Sequence, residues 1–186
     1  GSARAVLINS GQANACTGER GFFDSLQATN ALADRLGLRA EEVLICSTGV
    51  IGEAIPLEKL ISGLDLLVEE LSDSGGSAAA TAILTTDLVE KQIAFEAFLD
   101  GRRVRIGGMA KGSGMINPNM ATMLGYISCD AGISSEIWTA MVQRVLEGSF
   151  NSITVDGDTS TNDAFIAFAA GPPLARKHLY ALEVGL

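Results

Sequence analysis

Two residues, Asp100-Gly101, separate the apolar-rich run Gln92–Leu99 from a second run, Arg102–Ile106. An Asp-Gly pair takes up left-handed turn conformations at low cost, so these runs are expected to form a hairpin with a two-residue connection. At least one antiparallel strand pair therefore belongs to this chain. Around it, short apolar runs alternate with helix-spaced ones. Ala5–Ile8 reads as a buried strand leading into the polar turn Asn9–Asn14. Phe22, Leu26, Leu32 and Leu36 recur at helical spacing, and Gly37 supplies a C-terminal stop. Val43–Cys46 is a second short strand that runs into a turn, Ser47-Thr48-Gly49. Pro56 suits a first helical turn, with Leu57, Leu60, Ile61, Leu64 and Val68 along one face. Ala78–Leu84 reads as a short helix. Beyond a glycine-rich loop, Thr122–Cys129 reads as a strand, Glu136–Glu147 as an amphipathic helix, Phe150–Val155 as a strand and Ala164–Ala170 as a helix that closes at Gly171-Pro172-Pro173. Mixed elements with a hairpin point to an α/β layered sandwich with mixed sheets rather than a purely parallel sheet.

The chain has 186 residues, enough for one good core, and no shift in composition marks two independent domains. Nearly half of it is apolar (47%) while aromatics make up 5%, so small aliphatics and 21 glycines must build a core of close backbone approaches. A net charge of −9 with no basic block argues against nucleic acid as a partner. Acidic pairs such as Glu41-Glu42 and Glu69-Glu70 read as solvated faces. Three widely spaced cysteines, Cys16, Cys46 and Cys129, suggest neither a metal site nor a disulfide framework, and fit a reducing, cytoplasmic compartment. No apolar run approaches the roughly 20 residues of a membrane span, and the N-terminus lacks a signal-peptide pattern.

The chemistry concentrates in Gly107–Leu124, where Lys111 sits among glycines, Pro118-Asn119 makes a turn, and Ala121-Thr122 opens an apolar run. If the Ala121-Thr122 bond were cut, Thr122 would carry a hydroxyl nucleophile and an amine base on one residue. An α-amino group titrates at about 7.7–8.0, which suits general-base work near neutral pH. Lys111 nearby would help to keep that amine uncharged. On spacing alone, an ordinary β-branched strand residue at 122 is the better-supported reading. Ser47-Thr48-Gly49, at the end of a strand, could donate hydrogen bonds to an oxyanion or be a plain turn. Thr85-Thr86-Asp87 could orient a polar substrate or cap a helix.

Other motifs fail on inspection. Glycine rather than serine or threonine follows Lys111, so no phosphate loop is formed. Asp156-Gly157-Asp158-Thr159 resembles the start of an aspartyl phosphatase, but the few residues after Asp163 offer one lysine, Lys177, and one carboxylate, Glu183. The same acids miss a calcium loop because Thr161 and Ala167 stand where glycine and glutamate are required. A turn whose side chains satisfy backbone groups accounts for them better. The sole histidine, His178, lies beside Arg176 and Lys177 and is expected in solvent, which leaves no serine-histidine-aspartate triad.

Five segments together resemble the ornithine acetyltransferase family, the bifunctional glutamate N-acetyltransferases of arginine biosynthesis. They are Ala5–Gly18, Cys46–Gly52, Ile83–Asp87, Ala110–Leu124 and Phe150–Asp163, in the family's order and spanning nearly the whole chain. The resemblance implies self-cleavage at Ala121-Thr122 and a division into an α-chain-like segment, 1–121, and the start of a β-chain-like segment, 122–186, within one fold. It implies acetyl transfer from N-acetylornithine to glutamate through an acyl-Thr122. Thr48 and Gly49 would form the oxyanion hole, and Thr85, Lys111 and Thr122 would bind substrate. No metal or cofactor is implied, although some members accept acetyl-CoA as a co-substrate. The α and β chains stay associated, as a heterotetramer in the full-length family, with no membrane or nucleic-acid partner. The implied fold is an α/β/β/α sandwich related to self-processing aminopeptidases of the N-terminal-nucleophile kind. Family members are longer on both sides, so this chain is expected to be a partial segment with exposed apolar surface. A self-processed aminopeptidase or a non-catalytic, uncleaved fragment are the alternative readings.

Overall fold

The computed structural model describes residues 2–116 and 123–186. It divides into two compact units, Gly1–Thr85 and Thr86–Leu186. The first is a β-α-β unit. Strand β1 (Ala5–Gln12) pairs in parallel with β2 (Val43–Val50), and helix α1 (Gly18–Leu36) connects them. Both strands run further than the apolar pattern suggests. Asn9–Gln12, expected as a turn, pairs with Ser47–Val50, so Ser47-Thr48-Gly49 lies within β2 and is not a strand-end turn. Polar residues extend the strands because their backbone groups continue the ladder, whatever the side chains. The pairing needs glycine at one rung. A Cβ on Gly49, whose φ is +130°, would lie 2.2 Å from the Gly11 carbonyl oxygen.

Helix α1 ends where predicted, with Gly37 left-handed (φ +64°) and its amide donating to the Ala33 and Asp34 carbonyls. Its buried face matches the expected one only in part. Leu32 is buried as expected and Leu36 packs against the core, but Phe22 and Leu26 are exposed, and Gly21, Ala28, Thr29 and Ala33 complete the buried face. Small residues line most of this face, while Phe22 and Leu26 remain in solvent. Leu7, Ala28, Leu32, Ala33, Val43 and Leu64 form the core of this unit. The helix expected after Pro56 is split at Gly63 into α2 (Leu57–Ser62) and α3 (Leu64–Glu69), with Leu64 fully buried. A short helix α4 (Gly76–Ala82) follows.

The second unit is built on a four-stranded mixed sheet in the order β3-β4-β5-β6. The hairpin falls where Asp100-Gly101 places it, with φ of 53° and 75° at the two turn residues. It joins β3 (Lys91–Leu99) to β4 (Arg102–Lys111), which runs through Gly107 and Gly108 to Lys111. Lys111 is thus the last residue of a strand and not part of a loop. Strand β5 (Leu124–Cys129) pairs antiparallel with β4, and β6 (Ala164–Ala169) pairs in parallel with β5 across helix α5 (Ser135–Gly148). Helix α6 (Leu179–Gly185) ends the chain. Val104, Ile106, Cys129, Trp138, Met141 and Leu182 pack as this unit's core.

Two expectations are corrected here. Ala164–Ala169 is a strand, although it was expected to be helical. Its run Ala-Phe-Ile-Ala-Phe-Ala has no polar residue to define a period, so pairing with β5 decides, reinforced by Trp138 Nε1 donating to the Ala167 carbonyl at 3.0 Å. Phe150–Val155, expected as a strand, begins instead as a 3-10 turn over Phe150–Ser152. Ser149 and Ser152 hydroxyls bond back to the Val145 and Glu147 carbonyls, which holds the chain in a turn, and Val155 alone of the run forms a bridge, with Ile116.

Candidate functional site

In the first unit, Thr48 and Gly49 sit side by side on β2, opposite Ser10 and Gly11. Thr48 is buried and Gly49 exposed. Ser47 beside them donates its hydroxyl to the Ala13 carbonyl. Thr85 is exposed at the end of the same unit. It lies after helix α4 and not before a helix, which excludes an N-capping role for Thr85-Thr86-Asp87.

In the second unit, the candidate site residues lie at the end of β4 and the start of β5. Lys111 is 3% exposed and is the one lysine or arginine in the buried class among the described residues. Burial pushes its ammonium below the ordinary lysine value, Asp87 pulls it back in part, and Lys91 adds to the lowering. Asp87 has a fully enclosed side chain. Its Oδ1 accepts Lys91 Nζ at 2.6 Å and the Gly112 amide at 2.7 Å, and its Oδ2 lies 3.9 Å from Lys111 Nζ. Burial raises the Asp87 carboxyl, but Lys91, the Gly112 amide and Lys111 together hold it below the usual range. Asp87 is thus a site residue whose role spacing could not reveal, because 24 positions separate it from Lys111. The one available signal was its place in Ile83–Asp87.

The last rung between β4 and β5 pairs Lys111 with Leu124. One residue earlier, the Met123 amide donates to Asp163 Oδ1 at 2.7 Å, while Asp163 Oδ2 is buried with no hydrogen-bond partner among the described residues. Burial raises the Asp163 carboxyl, and the Met123 hydrogen bond opposes that in part. Asp156 has a related structural task. It takes a left-handed backbone (φ 65°) and accepts the Met115 amide through Oδ2 at 2.7 Å, and Thr154 donates to the Ile116 carbonyl. The acidic stretch therefore serves backbone groups, as the sequence indicates. Ala121 and Thr122, the expected cleavage site and nucleophile, lie outside the described residues, as does the Pro118-Asn119 turn. His178 is partly exposed, with Nε2 3.7 Å from Asp100 Oδ1. Among the described residues, Cys16, Cys46 and Cys129 form no disulfide. Among the described residues no cluster of three or more potential metal ligands occurs, and no helix is long and apolar enough to cross a membrane.

Solved structures resemble part of this mixed α/β chain. The ArgJ protein of Bacillus halodurans superposes with a TM-score of 0.57 at 42% identity, covering 62% of this chain and 61% of that one. The ornithine acetyltransferase of Mycobacterium tuberculosis, solved with ornithine, gives 0.57 at 45% identity, covering 61% of each. At these identities the shared fold is that of the N-terminal-nucleophile enzymes. The profile of the ArgJ family matches residues 1–185, and the chain belongs to that family. The arginine biosynthesis bifunctional protein ArgJ of Prochlorococcus marinus strain MIT 9313 is 70% identical over all 186 residues, and that of Thermosynechococcus vestitus is 60% identical over 171. The chain spans 44% and 41% of the length of these two relatives.

Proposed function

We propose that this chain is part of an acetyltransferase that moves the acetyl group of N-acetylornithine to glutamate, with Thr122 as nucleophile after hydrolysis of the Ala121-Thr122 bond. The observation that carries this reading is the match of the ArgJ family over residues 1–185, which takes in all five family-like segments.

Before cleavage the Thr122 nitrogen is an amide and cannot accept a proton. Once freed, it is an amine that can take the Thr122 Oγ proton. Oγ then attacks the acetyl carbonyl of N-acetylornithine. An ester bond forms, the amide C–N bond breaks, and the proton passes to the departing ornithine nitrogen. In the second half-reaction the glutamate amine attacks the ester, an amide forms, and Oγ regains a proton. Each attack creates an oxyanion, and Thr48 and Gly49 are assigned as its donors. One such donor contributes roughly 3–4 kcal/mol to lowering the barrier. Thr85 and Lys111 are assigned to substrate binding, Lys111 as a buried cation suited to a negatively charged group. Acetyl-CoA is an alternative donor in this scheme, and no metal or tightly held cofactor takes part. The cleaved chains remain associated, as a heterotetramer at full length, in the cytoplasm.

Denaturing mass analysis tests the first step. The full-length gene product should separate into fragments meeting between Ala121 and Thr122, and Thr122→Ala should leave one intact chain with no acetyl transfer. Turnover of peptide substrates in place of N-acetylornithine would contradict the assignment and indicate a self-processed aminopeptidase.

A further inference from the structure

Asp87 has no assigned part in the reaction, yet it is the most enclosed carboxylate near Lys111. A carboxylate taken out of water persists in its charged form only where donors and opposite charges offset the loss of hydration. Here the offsets are the Lys91 ammonium at 2.6 Å, the Gly112 amide at 2.7 Å and the Lys111 ammonium at 3.9 Å. Two lysines thus flank one enclosed carboxylate. The lysines come from neighbouring strands, with Lys91 opposite Ala110 in the ladder, one residue from Lys111. Their mutual repulsion and the burial of Lys111 both favour loss of the Lys111 proton. Asp87 opposes both.

We infer that Asp87 is the positioning residue of Lys111, fixing its ammonium at the end of β4 and keeping it charged against Lys91. The inference rests on the reading of Lys111 as a substrate-binding residue only for its catalytic consequence. The charge and placement of Lys111 are properties of the fold alone. A charged Lys111 ammonium suits the carboxylate that both amino-acid substrates carry. Asp87 acts on them through Lys111, without touching them.

The two partners of Lys111 make predictions of opposite sign. In the full-length gene product labelled with [13Cε]lysine, the Lys111 resonance is identified by its loss in Lys111→Arg and then titrated. Asp87→Asn removes the favourable charge, so the Lys111 midpoint should fall by roughly one pH unit or more. Lys91→Gln removes the repulsive one, so the midpoint should rise. The alkaline limb of kcat/KM should move the same way in each variant, and Asp87→Asn should raise KM more than it lowers kcat. Midpoints that stay still, or that move in one direction in both variants, overturn the inference. Should Asp87→Asn fail to fold, the double variant Asp87→Asn/Lys91→Gln, which removes the two opposed charges together, takes its place beside Lys91→Gln, whose side chain is 44% exposed. The double variant's midpoint should lie below that of Lys91→Gln, and an equal or higher one refutes Asp87's hold on Lys111. Midpoints that move as stated while the alkaline limb does not would uphold the positioning role and refute Lys111 as a substrate-binding residue.

Discussion

At the scale of single residues, charge and backbone geometry make the sharpest demands. Because Asp87 is held below the usual aspartate range in the fold, its contribution to stability is complete above the unfolded value, about 3.9, and is lost as pH falls through the lower folded value. Thermal melting followed into acid should therefore show a steep loss for the wild type and a shallower one for Asp87→Asn. Asp163 has the opposite sign. Its raised carboxyl favours the protonated fold, so its contribution is present below the unfolded value and is lost as pH rises through the folded one. Gly49 shows a demand of geometry. Gly49→Ala would place Cβ 2.2 Å from the Gly11 carbonyl oxygen, whereas Gly11→Ala meets nothing within 4 Å and bears only the strain of its positive φ. Such strain costs about 1–3 kcal/mol. Denaturant unfolding should rank Gly49→Ala as clearly the more damaging of the two. At this scale the sequence was partly legible: the family resemblance singles out Lys111, Thr48 and Gly49 as candidates, but it gives Asp87 no role. Its partners are gathered by folding of distant segments, and no local spacing records that.

Single elements are anchored by a few side chains that bond to the backbone of their neighbours. Asp163, which precedes β6, fixes the Met123 amide before β5, so one carboxylate ties together the entrances of two parallel strands. Asp163→Ala should cost roughly 1.5–3 kcal/mol, the value of a hydrogen bond to a charged group, and should speed hydrogen exchange at Met123. Asp163→Asn keeps an acceptor and sheds a buried charge, so it should cost less. The elements that were legible share a local cause. Asp100-Gly101 forms the hairpin because its two residues accept positive φ, and Gly37 ends α1 for the same reason. Helix α5 follows its amphipathic pattern. The misread elements lack such a cause. Nothing within Ala164–Ala169 chooses strand over helix until β5 supplies hydrogen bonds. The buried face of α1 was misjudged in part because Phe22 and Leu26 outweigh Gly21 and Ala28 in any hydrophobic pattern, while close packing against strands selects the small residues.

Across the whole molecule, the hairpin, the parallel crossovers and the mixed sheet justify the α/β class read from the sequence, and the family match extends it to a chain of known fold. The expected exposed apolar surface is present on β3, an edge strand with Ile93, Phe95 and Phe98 each more than half exposed. Such an edge offers unpaired backbone groups beside apolar side chains, a combination that promotes association. In size-exclusion measurements this chain of 186 residues should elute as associated species, and Phe98→Glu should increase the monomer fraction. The proposed reaction turns on one hydroxyl. Mass mapping of the protein quenched during turnover of N-acetylornithine reports on it. One acetyl group should be found in ester linkage to the residue that begins the second fragment, Thr122, and should be discharged on addition of glutamate. An acetyl group on any other residue, or unimpaired transfer by Thr122→Ala, would contradict the proposed reaction.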